Sequence, residues 1–537
     1  MTTKRTAGAS SRSAGWARSR GWSQALLLVA LGLGWVLPAR AGLPEVEACL
    51  DRFDLGCAQR ARAGLSGTDA QRADLWIRFH QGDYAAVDGL VDAGVAGPGP
   101  DDGEAPYRST VASARGMVEQ RGAGVSVRYA PGLDLILAEE AVETLVASRV
   151  TYDALFGGGP THDIVLDIFP TATRFIGASG LPPESVRTTG VIALSKWTRL
   201  LLTSPRALAR GYAWKDTIAH EYIHLVVAYR TRNRAPVWLQ EGLAKHLEAR
   251  WRGDRSGRLG AHTESLLAKA VQSGEFVPFD KFARSMAYLD SGEEAALAFG
   301  QVATMVQLLV ERAGPEALPE LMDRVARGED AMQVVAALAG QADFEAFRAS
   351  WVAWLRTQPL VAQQLATLPV VLDGGGDEAA SDPLLADRPD LQRFYRLGDL
   401  LREGGHPRAA LVEYGKAVDP ATPTSPLLLA RQATCHETLG DAATALRLVE
   451  EGLAMYPEHA LLQKTRGRLL MAQGDPSALG AFRAAHDLNP YDLDVQRALT
   501  TLYSRAGKAE AAARHLRYAR VLESGGALSA GPSPSPR

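Results

Sequence analysis

The stretch that most restricts how this chain can fold is Asp216–Arg250, which reads DTIAHEYIHLVVAYRTRNRAPVWLQEGLAKHLEAR. Within it, His220-Glu221-Tyr222-Ile223-His224 is flanked by Ile218, Ala219, Leu225, Val226, Val227 and Ala228. These flanks are apolar and free of Gly and Pro, as a buried helix requires. Residues four apart share a helix face, so His220 and His224 can offer two imidazole nitrogens to one ion. Glu221 can then hold a water bound to that ion. A catalytic zinc takes three protein ligands and keeps one position open, so the third must come from another element. After a break at Asn233–Pro236, a second helical stretch opens at Trp238, and its Glu241 lies seventeen residues past His224. That distance lets the first helix end, turn and return antiparallel. One Zn2+ held by His220, His224 and Glu241 is the expectation.

Other side chains nearby rank lower. His246 lies five positions after Glu241 and points about 140° away on a helix. Glu248, seven positions on, returns to nearly the same face, where it either supports the site or is solvated. Asp216, one turn before His220, is either an orienter of that imidazole or a charge favoured near a helix N-terminus. His162 and His262 have no partner spacing and read as ordinary.

The motif residues resemble the gluzincin metallopeptidases, and within them the bacterial peptidase MA-like proteins. Those carry H-E-x-x-H on one helix and W-L-x-E-G-x-A on the next, with its Glu as third zinc ligand. The likeness continues through TTGVIALSKWTRLLLTSPR before the helix and AKHLEARWRG after it, covering roughly Val125–Leu355. It implies an α+β zincin-like catalytic domain over 120–360, a small mixed sheet plus the HExxH helix. It also implies hydrolysis of peptide bonds by a zinc-bound water that Glu221 activates as catalytic base. In the family the strand before the zinc helix borders the cleft, and substrate backbone pairs along its edge. That edge is placed here at Leu200–Thr203, an internal strand with no ligand role being the alternative. Gluzincins add a Tyr or His that donates to the developing oxyanion. Here Phe299 stands at that place, which leaves Tyr288 or backbone N–H groups of the sheet to substitute.

Local patterns fill in the rest. Residues 1–41 read as an export signal: Arg5, Arg12, Arg18 and Arg20, then an apolar run Ala25–Leu37, then Pro38-Ala39-Arg40-Ala41. About thirteen apolar residues are too few for a comfortable membrane span, so no stable span is expected once the signal is removed, an uncleaved anchor being the alternative. Cys49 and Cys57 suit a disulfide in an oxidising compartment, with two buried thiols as the alternative, and Cys435 reads as a core residue. Residues 42–105 form an N-terminal helical segment of two or three helices, with a linker at Ala93–Ala105. Val125–Tyr129, Asp163–Phe169 and Gly190–Leu202 alternate or run apolar as strands do, and Ala138–Phe156 and Ala295–Ala313 read as helices.

Beyond a linker at 361–389, corner residues recur at Gly405, Gly440, Gly474 and Gly507, 33 to 35 residues apart, each followed by an Ala-rich helix. This resembles tetratricopeptide repeats, an all-α solenoid of helix pairs over 390–524 that takes a protein partner. Residues 525–537, rich in Gly, Ser and Pro, read as a disordered tail. A net charge of −3, with no basic block, sets nucleic acid aside. High Ala, Arg and Gly with scarce Lys suit a bacterial genome, and the signal suits a periplasmic or secreted location. Two functions remain: a zinc metallopeptidase whose repeats recruit a substrate or partner, or an inactive zinc-binding scaffold built around the repeats.

Overall fold

The computed structural model describes residues 42–95, 104–184, 186, 190–253, 259–283, 286, 289–363, 382, 384–385, 388–419 and 423–527. The expected export signal, most of the linker 361–389, Tyr288 and residues 528–537 lie outside them. Among the described residues no helix is long and apolar enough to cross a membrane.

Four helices, rather than two or three, open the described chain: α1 (Leu43–Asp51), α2 (Leu55–Arg62), α3 (Gly67–Gln81) and α4 (Tyr84–Asp92). Asp54 caps α2 through the Cys57 N–H, and a Cys49–Cys57 disulfide ties α1 to α2. Helix α5 (Glu104–Ala114) then starts at the end of the stretch read as linker.

The strands are β1 (Val118–Gly122), β2 (Val125–Tyr129), β3 (Ile164–Phe169), β4 (Ala193–Lys196) and β5 (Arg199–Thr203). They form one mixed sheet in the order β1-β2-β3-β5-β4, parallel at β2–β3 and β3–β5 and antiparallel at both ends. This corrects one expectation. Leu200–Thr203 lies in β5, which is paired on both sides, so the edge beyond it belongs to β4. Helices α6 (Leu135–Leu155) and α7 (Ala172–Ser179) follow β2 and β3. Every residue of β3 and β5 is buried, and successive side chains point to opposite faces, so they enter two different clusters. Val125, Val127, Ile164, Leu166, Ile168, Leu200 and Leu202 join the main core, whereas Phe169 and Leu201 pack with Phe175 and Ala178 of α7. Also on the second face, Asp167 receives Arg128 at 2.8 Å and the Tyr84 hydroxyl, which staples the α3–α4 corner to the sheet.

After β5 come α8 (Trp214–Thr231), α9 (Val237–Leu247), α10 (Ala261–Ser273), α11 (Gly292–Ala313), α12 (Ala317–Ala326), α13 (Ala331–Leu338) and α14 (Phe344–Leu355). Eight further helices stand in pairs: α15 (Pro389–Glu403) with α16 (Pro407–Lys416), α17 (Pro426–Thr438) with α18 (Ala442–Met455), α19 (Ala460–Ala472) with α20 (Ala478–Leu488), and α21 (Leu493–Arg505) with α22 (Ala509–Glu523). Each pair turns at one of the four recurring glycines, all at φ between 70° and 82°, where a side chain would be strained. The last pair is joined to the main core: Tyr518 and Val521 of α22 belong to the same apolar cluster as Trp214, Ile218 and Leu225 of α8.

Candidate metal centre

Helix α8 carries the H-E-x-x-H residues and ends where Arg232 and Asn233 take left-handed backbone, at φ 54° and 56°. Pro236 then opens α9, which returns beneath α8 carrying Glu241. The close packing of α9 on α11 needs the glycine that follows Glu241. A Cβ on Gly242 would meet the Val302 carbonyl oxygen at 2.7 Å.

Three donors meet between the helices. His220 Nε2 and His224 Nε2 are 3.2 Å apart, and Glu241 Oε2 lies 3.6 Å from the first and 3.5 Å from the second. Donors about 2.1 Å from a tetrahedral ion stand about 3.4 Å from one another, so these atoms have the spacing of ligands around one zinc. They can hold a metal ion. Between 14 and 21 % of each side chain is exposed, which leaves the group open to a substrate. The electrostatics point the same way. Burial opposes charge on His220, yet hydrogen bonds with Glu241 and Glu248 outweigh it and push the imidazole up to about 10. Burial likewise opposes the Glu241 carboxylate, and His224 and His220 overcome it and hold that group well below the usual range. A field that draws a proton onto histidine also draws a divalent cation.

The supports are only partly those expected. Glu248 reaches the site: its Oε2 takes His220 Nδ1 at 3.0 Å, and its Oε1 accepts from Lys245 Nζ at 2.5 Å. His220 is thus left with Nε2 toward Glu241 and His224. Asp216 does not touch His220. Its Oδ1 accepts from Trp251 Nε1 at 2.9 Å and Arg252 Nε at 2.8 Å. His246 is buried away from the group, and burial depresses its imidazole to about 4.

Glu221 is 8 % exposed, and burial raises its carboxyl above the usual range even though the Ser195 backbone N–H bonds to it. That contact puts β4, outermost in the sheet among the described residues, beside Glu221. Two neighbours were not singled out from sequence. Ser195 contributes a backbone group, which no residue pattern encodes. Tyr212 lies in the connection into α8, where its hydroxyl donates to the Thr203 carbonyl and feels the Glu221 charge. Phe299, half-buried on α11, brings no hydroxyl.

A second trio with metal-like spacing, Glu140, His486 and Asp487, is already filled by a side chain of the protein. Lys215 Nζ bonds to both carboxylates, at 2.7 Å from Asp487.

A family model described as the Peptidase MA superfamily covers part of this chain. Residues 147–357 match it. They include α8 and α9. No curated protein matches the sequence. Among solved structures, native yeast LTA4 hydrolase is 12 % identical and aligns over 77 % of this chain and 67 % of its own, with a TM-score of 0.30. A MamA structure is 17 % identical over 26 % of this chain and 82 % of its own, at 0.23, and the Cut9–Hcn1 hetero-tetramer is 10 % identical over 90 % and 86 %, at 0.25. At such TM-scores the likeness adds nothing to what the residues themselves show.

Proposed function

We propose that this protein is a zinc metallopeptidase of the gluzincin type that hydrolyses peptide bonds, exported to the periplasm or beyond in a bacterium. Residues 120–360 form the catalytic part, and the helix pairs over 390–524 are tetratricopeptide repeats that recruit a protein partner or substrate. The observation that carries this reading is the meeting of His220 Nε2, His224 Nε2 and Glu241 Oε2 within 4.8 Å of one another, with the buried Glu221 at their side. A structural zinc site is closed and usually rich in cysteine, and this one is neither. The Cys49–Cys57 disulfide supports export, since such bonds persist in oxidising compartments.

His220, His224 and Glu241 are the residues that would hold the ion. When bound, zinc supplies a Lewis acid that polarises a carbonyl and acidifies water. Glu221, with its raised proton affinity, accepts the proton of the attacking water and passes it to the departing amine. Glu248 fixes the His220 ring through Nδ1. The outer edge of β4 offers its backbone to an extended peptide, which adds there as a further strand.

The competing reading, a weak or inactive zinc-binding scaffold, draws on Phe299 in place of a donor hydroxyl. Losing one such donor typically costs about a hundred- to a thousand-fold in rate. Glu221 speaks against it, because a scaffold has no chemical need for a buried base beside three ligands. Casein cleavage by residues 42–537, beside the Glu221→Gln variant, tests the choice. Chelator-sensitive cleavage by the wild type alone supports the peptidase, and absence of cleavage from both supports the scaffold.

A further inference from the structure

The corner between α20 and α21 presses on the segment that leads into α8. The Tyr212 N–H donates to the Leu488 carbonyl at 2.9 Å. Gly211 makes that approach possible, since a Cβ there would stand 2.1 Å from the same oxygen and its φ is +66°. Beside it, Asp487 takes two cations in one carboxylate, Lys215 Nζ on Oδ1 at 2.7 Å and Arg252 Nη1 on Oδ2 at 2.7 Å.

The two cations belong to different parts of the metal centre. Lys215 sits in the first turn of α8, five residues before His220. Arg252 lies just past the end of α9, the helix that carries Glu241, and four residues beyond Glu248. Arg252 also holds Asp216, again in the first turn of α8, at 2.8 Å. The start of one ligand-bearing helix and the segment just beyond the other are therefore pinned together through one carboxylate. That carboxylate comes from the repeats, 272 residues from Lys215 in sequence. His486 completes the joint by meeting both oxygens of Glu140 on α6 at 3.0 Å.

We infer that Asp487 is a positioning residue for the metal centre, so that the repeats are a working part of the peptidase as well as a recruiting arm. This rests on the peptidase reading. By pinning α8 against the segment that follows α9, Asp487 sets the angle at which Glu241 meets His220 and His224. It touches neither the metal nor the substrate.

The test uses residues 42–537 loaded with Co2+, whose visible absorption reports ligand geometry, together with casein-peptide kinetics. Asp487→Asn keeps the shape and removes the charge. Arg252→Lys keeps a charge but lacks the fork that spans Asp216 and Asp487. Arg514→Ala cuts another ion pair of the same interface, with Glu139 and Glu143 on α6, without touching α8 or α9. Expected is one Co2+ per chain throughout. The cobalt spectrum should shift in Asp487→Asn and Arg252→Lys, with kcat lower by about tenfold and KM nearly unchanged. Arg514→Ala should match the wild type in both. Wild-type spectra and kcat in Asp487→Asn, or in Arg252→Lys if the first does not fold, overturn the inference even if melting temperatures fall. A wild type that binds no cobalt and cuts nothing overturns the peptidase reading itself, a failure seen without any variant.

Discussion

Gly242 offers a test of how closely the metal-centre helices are packed, because simple propensity predicts the wrong sign there. In a helix interior, Gly→Ala ordinarily stabilises by about 1 kcal/mol. At position 242 the added Cβ would stand 2.7 Å from the Val302 carbonyl oxygen and 2.9 Å from Val306 Cγ2, in the buried contact between α9 and α11. One of those neighbours is backbone, so relief requires the helices to part. Overpacking of this kind costs about 1–3 kcal/mol, which exceeds the propensity gain. Gly242→Ala should therefore destabilise by up to about 2 kcal/mol, a fall in melting temperature of up to roughly 8 °C for a unit of this size. Gly480, exposed on α20, has nothing within 4 Å of the same built atom. Gly480→Ala should raise the melting temperature, by up to about 4 °C. Melts followed by circular dichroism compare the two. A Gly242→Ala protein that melts at or above the wild type would refute the claim that this glycine exists for close helix contact.

Three further outcomes follow from the same geometry. Glu248→Gln removes the charge that holds His220 Nδ1, and zinc affinity measured by chelator competition should fall about 10–100-fold; an unchanged affinity would mean that Glu248 only balances Lys245. Replacing Cys49 and Cys57 together by Ser opens a short loop and should cost about 2–3 kcal/mol in urea unfolding, whereas no loss would show that the bond does not constrain the unfolded chain. Burial depresses His459 and His515 to about 3 each, so both are neutral in the fold while the unfolded chain binds protons near pH 6.5. Their contribution is therefore complete above about pH 6.5 and is lost as pH falls toward 3, at about 1.4 kcal/mol per pH unit for each. Stability that rises on acidification from pH 6.5 to 5 would contradict this assignment.

What could be read in advance divides by how local its cause is. The run of apolar residues around His220 and His224 settles a helix by itself, and Asn233–Pro236 supplies the turn that brings Glu241 back. Strand β2 matched its expected bounds because alternation is a property of five neighbouring residues. Corner glycines marked the helix pairs for the same reason, since each left-handed turn is paid locally. Sheet order was not legible. Ala193–Lys196 and Arg199–Thr203 are both short and half apolar, and which one lies outermost depends on pairing with β3, far away in sequence. Strand β1, VEQRG, is exposed for most of its length and carries no apolar pattern at all. Glu248 returned to the right helical face on periodicity, but periodicity alone does not choose between His220 and solvent. For Asp216 the sequence left two roles open, orienting His220 or a charge near the helix N-terminus; it sits in the first turn of α8 and its partners are Trp251 and Arg252. The role inferred for Asp487 depends on contacts with Lys215 and Arg252, 272 and 235 residues away, which no window of sequence contains.

The claim on which the account stands is that His220, His224 and Glu241 bind one zinc. The most direct measurement is the metal content of purified residues 42–537 by elemental analysis, beside the Glu241→Ala and His224→Ala variants. The account predicts one zinc per chain in the wild type and loss of bound zinc in both variants, with each protein still folded by circular dichroism. A folded wild type without stoichiometric metal after exposure to zinc, or variants that keep it, would contradict the account.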